Sequence, residues 1–287
     1  MELTNLSVIR DLCERYGFEF SKTLGQNFLT NAAIPVKIAE GADIDNKFVL
    51  EVGPGFGCLT KELCKRAKKV VAVELDKSLL PVLDETLGEF FNLDIINDDI
   101  LNVDISALCE KYGVESVDVC ANLPYYITTP IITKLIEEKL NIKNIVVMVQ
   151  KEVACRMQAK PSTKDYGAIT LLCRYYAEPS IVTNVPASLF VPPPKVDSAV
   201  LKLDMLDEPR VKVLDEKMFF RVVKAAFSQR RKTLLNCLSS AFPISKDELS
   251  GIMESSGITP SRRGETLDID EFAKLSDSIY EFLNSKK

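Results

Sequence analysis

The chain contains no histidine and no tryptophan. The first absence removes histidine-based triads and histidine-ligated metals, and no metal site is expected. None of the eight cysteines forms a CxxC pair, so a zinc ribbon or a thioredoxin-like redox motif finds no support. Several thiols, Cys120 and Cys173 among them, sit in apolar stretches, which points to buried free cysteines in a reducing compartment. Long apolar runs are missing as well. The most apolar stretch, Ile145–Val149, is far too short to span a bilayer. The N-terminal stretch MELTNLSVIRDLCERYG scatters charges throughout, so no signal peptide is visible. A soluble, cytoplasmic protein without a membrane partner is expected.

What is present fits a large globular chain. Its 287 residues favour one large domain or two, and 46% apolar residues are enough for a sizeable core. Lys plus Arg count 36 against 41 Asp plus Glu, a net charge of −5. That balance argues mildly against non-specific nucleic-acid binding, which a local basic patch would override.

The first two-thirds alternate strand-like and helix-like segments. Strands are predicted at Phe48–Val52, Val70–Leu75, Leu93–Ile96, Val117–Ala121 and Asn144–Gln150, with helices at 59–67, 78–87 and 130–140. Short strands with helical crossovers give an α/β fold, a parallel sheet covered on both faces. Ser180–Val182 and Ser198–Leu203 read as a late β-pair, joined through the rigid Val191-Pro192-Pro193-Pro194. After Met205 only helical patterns remain, at 216–227, 231–241, 246–255 and 269–283. The division is therefore a larger domain over 1–205 and a small all-helical domain over 206–287.

Glu51-Val52-Gly53-Pro54-Gly55-Phe56-Gly57 joins the first of these strands to a helix. Glycines there permit positive φ and close approach of a ligand to the backbone. Glu74 at the end of the next strand is an acceptor of the kind that holds ribose hydroxyls. Asp98-Asp99 follows the third strand. Each feature alone has a plain alternative, a tight turn or a solvated carboxylate. Three at successive strand ends suggest an adenosine-type cofactor. NAD and S-adenosylmethionine both fit, although GxGxG departs from the strict dinucleotide pattern.

The feature that separates them is Asn122-Leu123-Pro124-Tyr125, directly after a strand. Proline ends the strand, leaving an amide and a phenol at its C-terminal end. Hydride transfer has no evident need for them. Methyl transfer to the exocyclic amine of adenine does. That nitrogen's lone pair is delocalised into the ring. Acceptors on its two N–H bonds, the Asn122 side-chain oxygen and the Leu123 carbonyl, would draw it towards tetrahedral geometry. Pro124 would fix the turn and Tyr125 would stack on the base. The alternative is a strand-ending turn with a core tyrosine.

Seven segments carry a resemblance: GQNFL (25–29), EVGPGFGCLT (51–60), VELD (73–76), NLPYYITTP (122–130), VPPPKVDSAV (191–200), AAFSQRRKTL (225–234) and RRGETL (262–267). In order, over nearly the whole chain, they resemble the small-subunit ribosomal RNA adenine N6,N6-dimethyltransferases. The resemblance implies a class I, Rossmann-like methyltransferase sheet with a helical C-terminal domain. It implies S-adenosyl-L-methionine as donor and dimethylation at N6 of two adjacent adenosines in a loop near the 3′ end of small-subunit rRNA. A contribution to small-subunit biogenesis is implied too, and docking on immature subunits stands as a rival main role. The related large-subunit dimethyltransferases are a third candidate. Carried over residue by residue, cofactor contacts fall on Gln26, Asn27, Leu29, Gly53, Gly55, Glu74, Leu75, Asp99, Ile100 and Asn122. Target contacts fall on Asn122, Leu123, Pro124 and Tyr125. Phe190 resembles a second aromatic sandwiching the base, the alternative being a core phenylalanine. Gly25 is a flexible point from which GQNFL would close over the site.

Phosphate contact is expected from a basic cluster without acids, Arg221, Lys224, Arg230, Arg231 and Lys232, with Arg262 and Arg263 added. The plain alternative is a solvated helix face. Lys61, Lys65, Arg66, Lys68 and Lys69 form a second basic run whose role the sequence leaves open. Nothing in the sequence demands more than a monomer.

Overall fold

The computed structural model describes residues 1–21, 25–138 and 141–286. The chain divides into two compact units, Met1–Ala154 with Glu178–Met205, and Cys155–Ala177 with Leu206–Lys287. The second thus takes in a segment, 155–177, that the sequence pattern assigned to the first.

The first unit is built on a sheet of β2 (Phe48–Val52), β3 (Lys69–Glu74), β4 (Leu93–Asn97), β5 (Val117–Asn122), β6 (Ile142–Gln150), β7 (Ala177–Val185) and β9 (Ser198–Met205). A two-stranded ribbon pairs β1 (Phe28–Leu29) with β8 (Phe190–Val191). The order across the sheet is β4-β3-β2-β5-β6-β9-β7. β2 pairs in parallel with both β3 and β5, and β9 runs antiparallel to β6, Ile145 facing Leu203. Every residue of β2 is buried, Glu51 included, as befits a central, mostly apolar strand. Strand order reverses between β2 and β5, so the two loops leaving their C-terminal ends lie side by side, where open α/β sheets form ligand crevices.

Some helices of this unit start where the sequence supplies a cap. Asp104 accepts from Ala107 N–H at the start of α5 (Ile105–Tyr112), and Gly113 ends that helix at φ 61°. The helix after β5, α6, spans Thr128–Glu137; residues 139 and 140 of the predicted 130–140 helix lie outside the described residues. The N-terminal helix α1 (Leu6–Tyr16) went unread in the sequence. Its Ile9 and Leu12 join Phe18, Phe28 and Phe56 in a core cluster.

The second unit packs α8 (Ala168–Tyr176) with α9 (Glu216–Ala226), α10 (Leu234–Ala241), α11 (Lys246–Ser255) and α12 (Ile269–Ser285). Tyr175, Phe219 and Phe272 are buried at its centre. Reciprocal caps, Ser245 with Glu248 and Asp268 with Glu271, start α11 and α12. No described helix is long and apolar enough to cross a membrane.

Candidate active site

The glycine turn after β2, the ends of β3 and β4, the turn after β5 and the segment before β1 converge on one cleft of about 1010 Å3, its open mouth included. Gln26, Asn27, Leu29, Gly53, Gly55, Glu74, Leu75, Asp99, Ile100, Asn122, Leu123, Pro124 and Tyr125 all line it.

The two glycines of the turn differ in their reasons. Gly53 has φ 68°, and a Cβ built on it meets nothing within 4 Å, so the cleft opens directly over its backbone. Gly55 has φ 60°, and a Cβ there would come within 2.9 Å of the Phe28 ring. That ring stacks on Phe56 at 4.2 Å between centroids. Gly55 is therefore required by the packing of β1 onto the turn as well as by backbone conformation.

Glu74 closes the next strand. Its carboxylate accepts from Gly55 N–H at 3.2 Å and from Asp76 N–H at 2.8 Å, which aims it across the turn. Burial raises its pKa, and these two backbone bonds hold the rise back. Gln26 donates to Asp76 Oδ2 at 2.8 Å and accepts from Ser21 N–H at 2.8 Å, tying the segment before β1 to the end of β3.

Leu123 N–H donates to the Met148 carbonyl at 3.1 Å, which holds the exit from β5. The Pro124 carbonyl then takes Ile127 N–H at 3.3 Å and the Thr128 hydroxyl at 3.0 Å, locking the turn into α6. Asn122 donates its amide N–H to the Asn27 carbonyl at 3.4 Å. Among the described residues no donor reaches the Asn122 side-chain oxygen or the Leu123 carbonyl. Two acceptors are thus left over at the wall of the cleft. The Tyr125 hydroxyl shares a 2.6 Å hydrogen bond with Ser198 Oγ, and burial pushes its pKa up.

Phe190 is elsewhere. It is 2% exposed, packs with Leu29, Ile38 and Met148, and is not among the residues lining the cleft. Pairing of β8 with β1 sets it opposite Leu29 in that core cluster. The sequence reading also missed Phe28 and Tyr126, which do line the cleft. For Tyr126 the signal was available, because a second aromatic directly follows Tyr125.

The predicted phosphate contacts, all in the helical unit, divide in two. Arg262 is bound to Glu271 through its two terminal nitrogens, Nη1 and Nη2, and donates Nε–H to Thr266 Oγ1 at 3.1 Å. Arg230 pairs with Glu265 at 2.8 Å, and Arg221 donates to the Ala241 carbonyl at 2.9 Å while lying over Phe242. These three hold the fold. Lys224, Arg231, Lys232 and Arg263 are exposed, and no ion pair engages them among the described residues. In the first unit, Lys61, Lys65, Arg66 and Lys69 each pair with an acid, which accounts for most of that basic run. No group of His, Cys, Asp or Glu among the described residues is arranged to hold a metal.

The chain resembles known proteins over nearly its whole length. The chain is 50% identical over 272 residues to the ribosomal RNA small subunit methyltransferase A of Clostridium acetobutylicum, covering 94% of this chain and 98% of the relative. It is 51% identical over 276 residues to the protein of that name from Bacillus cytotoxicus, covering 94% of each. Among solved structures it resembles a dimethyladenosine transferase from Plasmodium falciparum, with TM-score 0.74 and 27% identity over 90% of this chain and 98% of that one. The 23S rRNA methyltransferase ErmE follows at TM-score 0.68 and 26% identity, over 88% of this chain and 99% of that one. These likenesses establish a class I methyltransferase fold. The ribosomal RNA adenine dimethylase model matches residues 17–279, glycine turn, NLPY turn and helical unit together, and the chain belongs to that family.

Proposed function

We propose that the protein transfers methyl groups from S-adenosyl-L-methionine to N6 of two adjacent adenosines in a loop near the 3′ end of small-subunit rRNA, giving N6,N6-dimethyladenosine. The observation that carries this reading is the pair of unengaged acceptors beside Tyr125, the Asn122 side-chain oxygen and the Leu123 carbonyl. They match the two N–H bonds of an exocyclic amine.

The residues fit the donor. Open space over Gly53 leaves room for a ligand against bare backbone, and the Glu74 carboxylate, buried and oriented by two backbone N–H groups, keeps acceptor capacity for ribose hydroxyls. Asp99 at the end of β4 adds a second acceptor, and Leu75 and Ile100 offer apolar cover. When bound, S-adenosyl-L-methionine supplies a methyl group already activated on a sulfonium.

The rest falls to the chain. The Asn122 side-chain oxygen and the Leu123 carbonyl would accept hydrogen bonds from the amine's two N–H groups and draw nitrogen out of conjugation. Tyr125, its hydroxyl held by Ser198, would stack on the base, a contact of about 1–3 kcal/mol. The attacking amine becomes cationic and loses its proton to water, so no strong base is needed, in keeping with a chain without histidine. Positioning supplies the acceleration, on the order of 7–11 kcal/mol at best. Lys224, Arg231, Lys232 and Arg263 are the side chains available for rRNA phosphates. All eight cysteines are free thiols, as suits a cytoplasmic enzyme, and a monomer suffices for every step.

The test is to incubate the protein with labelled donor and unmodified small or large subunits, then map the modified base. Label on adjacent small-subunit adenosines is expected, and label on large-subunit rRNA would overturn the assignment. Asn122→Ala should abolish transfer while donor binding persists at least in part. Near-normal turnover in that variant refutes the role given to Asn122.

A further inference from the structure

Two consecutive tyrosines leave β5 under opposite conditions. Tyr125 is half-buried, with its hydroxyl held by the fully buried Ser198. Tyr126 is 54% exposed, yet it lines the same cleft. No hydrogen bond holds its hydroxyl among the described residues. Its ring is nonetheless backed. A Cβ built on Gly25 would lie 3.3 Å from Tyr126 Cδ1, and Gly25, at φ 61°, leaves that space. The backbone on either side is fixed, because Ile127 N–H and the Thr128 hydroxyl both bond to the Pro124 carbonyl. The result is an aromatic ring supported on one side and open to water on the other, at the mouth of the cleft.

We infer that Tyr126 is the stacking platform for the nucleobase beside the target. This rests on the adenine-methylation reading and adds a second base subsite to it. Drawing a base into the cleft breaks its stack on its neighbour. An exposed ring directly next to Tyr125 restores a stacking surface to that neighbour. Two consecutive bases then meet two consecutive rings, one inside the cleft and one on its rim. Stacking on a ring tolerates any base, because every base has a π-face. The rim site therefore accepts either adenosine of the pair, before or after modification, while its partner is inside.

The test is a cycle on small subunits reconstituted with rRNA that carries an abasic residue beside the target adenosine. For the wild-type protein, loss of the flanking base should lower kcat/KM by roughly 5- to 150-fold. Tyr126→Ala and Tyr126→Leu should show a comparable loss on intact rRNA and no further loss on abasic rRNA. In Tyr126→Phe the abasic penalty should persist, because the ring remains. Donor affinity, read by calorimetry, should stay at the wild-type level in all three, which a collapsed turn would not allow. An abasic penalty in Tyr126→Ala equal to that of the wild type overturns the inference, as does a penalty retained by Tyr126→Leu. If the wild-type protein methylates neither adenosine on intact subunits, the functional reading itself has failed, and that is visible before any variant is made.

Discussion

Replacing Glu51 by glutamine should make the protein's stability less sensitive to pH, in a direction and over a range that the structure sets. Glu51, next to last in β2, has 1% of its surface exposed, and among the described residues neither carboxyl oxygen has a hydrogen-bond partner. Among the described residues no cation offsets the charge it would carry. Glu74 on β3 repels it, and the Thr60 hydroxyl faces it and offsets part of the effect without reaching hydrogen-bond geometry. Cys58 and Cys64 on α3 (Cys58–Cys64) and Cys120 on β5 are thiols whose own pKa values burial pushes up, the first two to about 12, so they stay neutral. Burial raises Glu51 from 4.5 to about 8. Its folded pKa lies above its unfolded one. Its contribution is therefore complete below pH 4.5, declines by about 1.4 kcal/mol per pH unit, and is fully lost above pH 8. The whole range corresponds to on the order of 5 kcal/mol. Glutamine keeps the shape and removes the titration, at a constant cost of about 1–3 kcal/mol for its unpaired amide. Urea unfolding of both proteins at a series of pH values and fixed ionic strength gives the difference, in which the other titrating groups cancel. The stability of the variant relative to wild type should climb steadily from about pH 5 to about pH 8 and then level. A flat difference across that range, or one that falls, would show that Glu51 ionises normally and is hydrated or paired.

Four further substitutions separate fold from function. Gly53→Ala should lose roughly 1–2 kcal/mol from left-handed backbone alone and weaken donor binding by placing a methyl in the cleft, whereas Gly55→Ala, colliding with Phe28, should lose roughly 2–4 kcal/mol; denaturation and calorimetry on both variants check this. Arg262→Ala should destabilise the helical unit by about 1–3 kcal/mol, because it strands the carboxylate that caps α12, and a thermal melt reads it. Arg231→Ala should leave the melt unchanged and reduce the salt dependence of subunit binding by about one counterion, a slope measured by titration at several salt concentrations.

The sheet was legible because its strands announce themselves. Runs such as Phe48–Val52 and Val70–Glu74 are apolar but for one glutamate each, as strands buried on both faces largely must be, and the first runs straight into the glycine turn. The cleft was legible for the same reason, since ligand-facing residues cluster at those strand ends. The segment 155–177 was not. Ala168–Tyr176 has ordinary helical spacing, and nothing local says that its Leu171 and Tyr175 pack with Phe219 and Leu238 in a core formed mostly beyond Leu206. That is a long-range fact, and periodicity carries only short-range information.

Phe190 and Arg262 show the same limit at the level of single residues. Each has the side chain its expected role needs, a ring for stacking and a guanidinium for phosphate. What decides the outcome is a partner distant in sequence. Phe190 lies opposite Leu29 across the β1–β8 ribbon, in the core cluster, and Glu271 on α12 neutralises Arg262. A charge or a ring becomes available to a substrate only after the fold has satisfied its own demands. Among the arginines and lysines read as phosphate contacts, Lys224 on α9 and the loop residues Arg231, Lys232 and Arg263 have no ion-pair partner among the described residues. Those within reach of an acid or a helix-end carbonyl are engaged by it. Sequence distance to an available acid would not have sorted them in advance: Glu265 lies close to Arg262 and Arg263 in the chain, yet the pairings run from Arg230 to Glu265 and from Arg262 to Glu271.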